Sequence, residues 1–156
     1  STQNILGRVV GGDMSVIDGL IQVTGSNANL YLMNPAGIIF GANARLNVPA
    51  SFTATTANSI GFANGDFSWA GVKDYAILFG TPTSFGFAMT QPGAIVNSGN
   101  LAVPNQQTLT LIGGTVVSTG GLSAPGGQVT IATVPGSSQV RLSQVGGLLS
   151  LDVQPL

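Results

Sequence analysis

Leu30-Tyr31-Leu32-Met33-Asn34-Pro35-Ala36-Gly37-Ile38-Ile39-Phe40 places a tight turn between two short apolar strands, and that reading decides the fold. Asn at the first turn position can accept from backbone amides ahead of it. Pro at the second presets φ near about −65°, and Gly at the fourth lets the chain leave without a Cβ clash. Ala36 at the third position points to a type I turn, because type II requires a positive φ there.

Working outward, the same unit recurs. Ile17-Asp18-Gly19-Leu20-Ile21-Gln22-Val23 precedes the turn, and Ala44-Arg45-Leu46-Asn47-Val48 and Ser51-Phe52-Thr53-Ala54-Thr55 follow it. Gly25-Ser26-Asn27, Gly41-Ala42-Asn43 and Asn47-Val48-Pro49 supply corners. Alternation directs Leu46, Val48, Phe52 and Ala54 inward, and Asn47, Ser51, Thr53 and Thr55 outward.

Later the period becomes explicit. Gly93, Val96, Gly99, Leu101, Pro104 and Gln107 fall on Gly114, Val117, Gly120, Leu122, Pro125 and Gln128, each 21 positions on. Ala94-Ile95-Val96 matches Thr115-Val116-Val117, and Leu109-Thr110-Leu111 matches Val129-Thr130-Ile131 after a one-residue slip. Ile17 and Ile38 have the same spacing. Such a period without helical patterning predicts stacked β-solenoid coils. Parallel crossovers take the right hand by default, so the expected fold is all-β, a right-handed parallel β-helix.

Composition agrees and excludes much else. The 156 residues include 23 Gly and 8 Pro, with 44% hydrophobic residues, four bases, five acids and a net charge of −1. All the acids are Asp, and the chain has no His or Cys. Imidazole general bases, thiolate nucleophiles, disulfides and the usual zinc ligands are thereby excluded. No basic cluster marks a nucleic-acid surface, and no apolar run approaches the ~18 residues of a membrane span. No cofactor is expected.

Residues 59–92 interrupt the pattern. Phe62, Phe67, Trp69, Tyr75, Phe79, Phe85 and Phe87 crowd there with Asp66, Lys73 and Asp74. Their composition predicts an extra-helical insertion that packs an aromatic hairpin or short sheet against the solenoid. Asn64-Gly65 inside it is the one strong hairpin signal. The domain therefore reads as motif-bearing coils over 1–58, the insertion over 59–92, and regular coils over 93–156, with Gln139-Val140-Arg141-Leu142 and Gly147-Leu148-Leu149-Ser150-Leu151 as late strands. About six coils would make a rod on the order of 28 Å. The first residues already look like the interior of a sheet protein and the last like a strand, so the chain is expected to be a piece cut at both ends.

Catalysis has little to stand on. A glycoside hydrolase needs two carboxyls roughly 5–9.5 Å apart, and Asp66 with Asp74 is the only close pair in the aromatic-rich region. Arg8 and Asp18, and Arg45 and Asp13, read as solvated corner charges or local pairs worth about 0–1 kcal/mol. Outward Thr rows such as Thr53-Ala54-Thr55 and Thr108-Leu109-Thr110 do not repeat in every coil, as an ice-binding solenoid would require. Surface adhesion to glycans is the alternative function.

Asn34-Pro35-Ala36-Gly37-Ile38 resembles the Asn-Pro-Asn-Gly-Ile signature of the two-partner secretion family, the N-terminal domains of filamentous haemagglutinin-like exoproteins. The likeness extends through Asn4-Ile5-Leu6-Gly7-Arg8-Val9, Ser15-Val16-Ile17-Asp18-Gly19-Leu20-Ile21, Ser51-Phe52-Thr53-Ala54-Thr55-Thr56-Ala57 and Leu122-Ser123-Ala124-Pro125-Gly126-Gly127, in the family's order. It implies a non-enzymatic β-helix that directs a large exoprotein, secreted or at the surface of a Gram-negative-type bacterium, to a dedicated outer-membrane transporter. In the family, the transporter's periplasmic domains recognise the domain while it is extended. By the same resemblance, Asn34, Pro35, Ala36, Gly37 and Ile38 form the recognition and folding motif. Ala36 replaces an Asn common in the family, which keeps the turn and removes an amide. Uncapped coil ends would favour end-to-end self-association.

Overall fold

The computed structural model describes residues 3–68, 78–145 and 148–156, and every regular element among them is a β-strand. One face of the solenoid stacks β1 (Asn4–Arg8), β4 (Asn29–Met33), β7 (Phe52–Thr55), β13 (Thr108–Gly113) and β16 (Gln128–Thr133) in parallel. A second face stacks β2 (Ser15–Ile17), β5 (Ile38–Phe40), β11 (Ala94–Asn97) and β14 (Thr115–Ser118). The third holds β3 (Leu20–Gln22), β6 (Arg45–Asn47), β12 (Asn100–Ala102) and β15 (Gly121–Ser123). Each of the first four turns contributes one short strand per face, and the last adds β16 alone. The result is a β-solenoid of about five turns, one fewer than the repeat suggests.

The missing turn has a specific cause. β17 (Ser138–Val145) and β18 (Leu148–Pro155) form an antiparallel hairpin, not further coils, so parallel stacking ends at Thr133. β17 pairs antiparallel with β10 (Ser84–Phe87), which pairs with β8 (Ser59–Phe62), which pairs with β9 (Gly65–Ser68). These five strands are a separate antiparallel sheet in the order β18-β17-β10-β8-β9. The Asn64-Gly65 signal corresponds to the β8–β9 hairpin, where Phe62 opposes Gly65.

The late register is as the repeat predicts: Ile95 faces Val116, and Leu109 faces Val129 after the slip. The early register differs. Ile17 faces Phe40, and Ser15 faces Ile38. The corner spanning Val9–Met14 is longer than the Asn34–Gly37 corner of the next turn, so strands paired 25 positions apart at β1–β4 are paired 23 apart at β2–β5.

Two apolar cores result. Inside the coil, Ile38, Phe40, Phe52, Ala54, Ile95, Leu101, Leu109 and Leu111 are buried, with Phe40 and Phe52 edge to face at 6.2 Å. Each fully buried side chain of this size contributes roughly 1.5–3 kcal/mol. Outside it, Tyr31, Met33 and Ile112 on the outer side of the first face pack against Ile60, Phe62, Phe67, Phe85, Phe87 and Val140 of the antiparallel sheet. That cover explains a second departure. Thr53 and Thr55 point away from the coil interior, yet they are only 7% and 0% exposed.

Polar contacts fasten the cover. The Arg8 guanidinium lies 5.4 Å from the Phe67 ring centroid and donates to the Ser68 carbonyl. Asn4 Nδ2 donates to the Gly80 carbonyl at 2.7 Å, and the Gly80 amide donates to Gln3 Oε1 at 3.0 Å. Arg8 is therefore a clamp between sheets rather than a solvated corner charge.

Candidate functional site: the Asn34 corner

Asn34 follows β4 directly and begins the corner leading to β5, with 1% of its surface exposed. The Gly37 amide donates to the Asn34 carbonyl at 3.1 Å, closing the β-turn. The Ala36 amide donates to Asn34 Oδ1 at 3.0 Å, adding an Asx-turn inside it. Nδ2 donates to the Asp13 carbonyl and to Ser15 Oγ, both at 2.9 Å, and so ties this turn to the preceding one. The Asn34 amide donates to the Thr55 carbonyl at 3.0 Å, which ties it to the following one. One side chain thus shapes its own corner and locks it to the preceding coil.

Ala36 keeps a negative φ; among the described residues Gln106 is the one non-glycine with a positive value. That matches the type I expectation. Gly37 takes φ 128°, a region that disfavours side chains, and a Cβ there would lie 3.1 Å from the Ala94 carbonyl oxygen. The neighbouring coil approaches just as closely. A Cβ on Gly93 would lie 2.6 Å from the Pro35 carbonyl oxygen and 2.7 Å from the Gly37 nitrogen.

The corner is consequently embedded. Pro35, Gly37 and Ile38 are buried, and Ile38 is part of the inner core; Ala36 is half-buried. Val9, Gly12, Asn58 and Met89 surround Pro35 and Ala36 to form an apolar concavity of about 220 Å³.

A second corner uses the same device, and sequence reasoning missed it. Asn97, 0% exposed, accepts from the Gly99 amide at 3.0 Å through Oδ1. Its Nδ2 faces the Gly99 carbonyl at 3.2 Å, Ser118 Oγ at 3.1 Å and the Gly121 carbonyl at 3.4 Å. The available signal was Asn97-Ser98-Gly99, an Asx-turn pattern without the proline that makes Asn34-Pro35 conspicuous.

The charged candidates separate. Asp18 is exposed, and its carboxylate accepts from the Asn43 amide at 2.9 Å and from Asn43 Nδ2 at 3.2 Å. The backbone bond first, and the side-chain bond second, hold this carboxyl below its ordinary pKa. Arg45 and Asp13 are both exposed. Asp66 is exposed on β9, whereas Asp74, Lys73, Trp69 and Tyr75 lie outside the described residues. Burial pushes the Tyr31 phenol up to about 12.

A protein-family model described as TPS secretion domain matches residues 1–154, nearly the whole chain. No curated protein and no solved structure matches it.

Proposed function

The chain belongs to the TPS secretion domain family, and from that premise we propose that it targets its own exoprotein to an outer-membrane two-partner secretion transporter and nucleates β-helix folding. The family is non-enzymatic and transport-related, and membership implies a secreted exoprotein. No helix among the described residues is long and apolar enough to cross a membrane. In this proposal the partner is the periplasmic part of the transporter, and the segment read is Asn34 to Ile38.

The burial of Asn34 carries the proposal furthest, because it limits when that reading can happen. In the folded coil both Nδ2 donors and Oδ1 are engaged internally. A partner that used the Asn34 amide would have to bind before the coil closes. Closure then withdraws the amide into contacts with Asp13, Ser15 and Ala36, which favours release of a folding chain. Recognition and folding compete for one side chain.

Asn97 provides a matched control, since it is equally buried and equally engaged but lies outside the motif. Secretion of Asn34→Ala and Asn97→Ala exoproteins should be compared with the urea stability of the purified domains. At similar loss of stability, a larger secretion defect in Asn34→Ala supports recognition. Equal defects would assign the motif to folding alone.

A further inference from the structure

Asn64-Gly65, the hairpin signal of the sequence, forms the tip between β8 and β9, with Ala63 and Asn64 exposed and Phe62 paired to Gly65. Gly65 takes φ 155°, in the region that disfavours a side chain, so the turn itself calls for glycine there. The same glycine leaves its backbone nitrogen without a Cβ to shield it from the side chain before it. β9 is the last strand of the antiparallel sheet and pairs, among the described residues, with β8 alone, so the tip can open without breaking a second ladder.

The other asparagines are restrained in ways that Asn64 is not. Asn34 is followed by Pro35, whose nitrogen carries no hydrogen and cannot attack the side chain. Asn97 precedes Ser98, and its buried carboxamide is bonded to Gly99, Ser118 and Gly121. Asn58 precedes Ser59, and its Oδ1 accepts from the Ala88 amide at 2.8 Å. Asn43 Nδ2 donates to the Asp18 carboxylate at 3.2 Å. Asn64 is the one asparagine followed by glycine, and its exposed carboxamide makes no hydrogen bond among the described residues.

We propose that Asn64 is a site of spontaneous deamidation, a covalent change the chain performs on itself, and that the product loosens the β8–β9 edge of the cover. The Gly65 nitrogen loses its proton and attacks Asn64 Cγ, a neighbour held in the same turn; the Cγ–Nδ2 bond breaks, ammonia leaves with that proton, and a five-membered succinimide closes. Water then opens the ring. Cleavage at Cγ–N gives Asp, and cleavage at the α-carbonyl C–N bond gives isoaspartate. The sum is one water consumed and one ammonia released, with a carboxylate where the carboxamide stood. The new charge joins that of Asp66, exposed on the same hairpin, so like charges gather at the tip. In isoaspartate the backbone runs through Cβ, which lengthens the turn by one atom and disturbs the Phe62–Gly65 pairing. β9 also carries Phe67 and Ser68, the residues that Arg8 grips. The site is independent of the Asn34 corner and of secretion.

Mass spectrometry with peptide mapping, on the whole domain aged at physiological temperature and mildly alkaline pH, tests the assignment. The peptide segment holding Asn64 should gain the mass of a carboxamide-to-carboxyl change at least about tenfold faster than those holding Asn58 or Asn97, and the rate should rise about tenfold per pH unit because the attacking nitrogen must lose a proton. Isoaspartate methyltransferase should label the aged domain, and amide exchange in β9 should quicken with the modified fraction while β5 and β11 stay unchanged. Asn64→Gln, whose longer side chain would have to close a six-membered ring, should abolish both the label and the change in exchange, with the urea midpoint of the fresh domain unaltered. An Asn64 that stays intact at the alkaline end of the series, or reacts no faster than Asn58 and Asn97, would overturn the proposal and show that the β8–β9 ladder keeps the Gly65 nitrogen away from Cγ. Modification with exchange unaltered in β9 would overturn the loosening.

Discussion

Asn34 concentrates three side-chain hydrogen bonds at a position with almost no solvent access. Asn34→Ala strands the Ala36 amide and removes the donor from the Asp13 carbonyl and Ser15 Oγ. At about 1–3 kcal/mol for a buried group left unpaired, and with partial relaxation, the expected loss is about 2–4 kcal/mol. Urea unfolding of the purified domain checks it; a loss below about 1 kcal/mol would show that water replaces the amide. Tyr31 makes a prediction of a different kind. Its folded-state pKa of about 12 lies above the ordinary value of 10.0, because burial disfavours the phenolate. Its contribution is fully present below pH ~10 and is lost as pH rises through about 12, by up to roughly 2–3 kcal/mol. Stability measured from pH 9 to 12 should fall less steeply in Tyr31→Phe than in the wild type. Parallel curves would remove Tyr31 as the source.

At the scale of elements, close stacking of corners governs tolerance to change. Gly93→Ala forces a Cβ onto the backbone of Pro35, Ala36 and Gly37, where no flexible side chain can yield. A destabilisation of about 1–3 kcal/mol or more is expected, together with faster amide exchange in β5 and β11. Wild-type exchange would mean that the corners slide apart at little cost. The stacked strands themselves were legible in the sequence, because rows such as Ile95 over Val116 repeat at a fixed offset. The direction of Gln139-Val140-Arg141-Leu142 was not, since alternating burial looks alike in a parallel coil and in a hairpin. Burial of Thr53 and Thr55 was equally hidden: it depends on β8, β10 and β17 lying across them, and period-two patterning says nothing about a second layer. The Asn34 turn was readable from local chemistry, but its clamps to Asp13 and Ser15 join positions 21 and 19 residues away. Asn97 gave a weaker local signal for the same reason of distance, because its partners Ser118 and Gly121 come from the next turn.

At the scale of the whole molecule, the first and last turns of the described coil stack both present apolar surface. The first turn opens on a concavity of about 530 Å³ walled by Ile5, Ile17, Ile21, Val23, Leu30 and Leu32. At the other end, Val129 and Ile131 continue the inward rows of Leu109 and Leu111 but are 39% and 48% exposed. The terminal strands β14, β15 and β16 contain no charged residue and no proline, the usual devices that block edge pairing. The last turn of one copy therefore matches the first turn of another in strand direction and in apolar rows. Such a head-to-tail contact does not close on itself, so it predicts open, concentration-dependent chains rather than a dimer. Sedimentation velocity should show the mean size rising from micromolar to millimolar protein. Ile131→Lys, which places a charge in the inner row of the last turn, should restore a single small species while leaving the unfolding free energy within about 0.5 kcal/mol of wild type, since the position is half exposed. A wild-type chain that stays monomeric across that range would mean that the end faces, although apolar, are too small or too uneven to stack. Growth undiminished in Ile131→Lys would place the contact elsewhere, on the outer surface of the sheets.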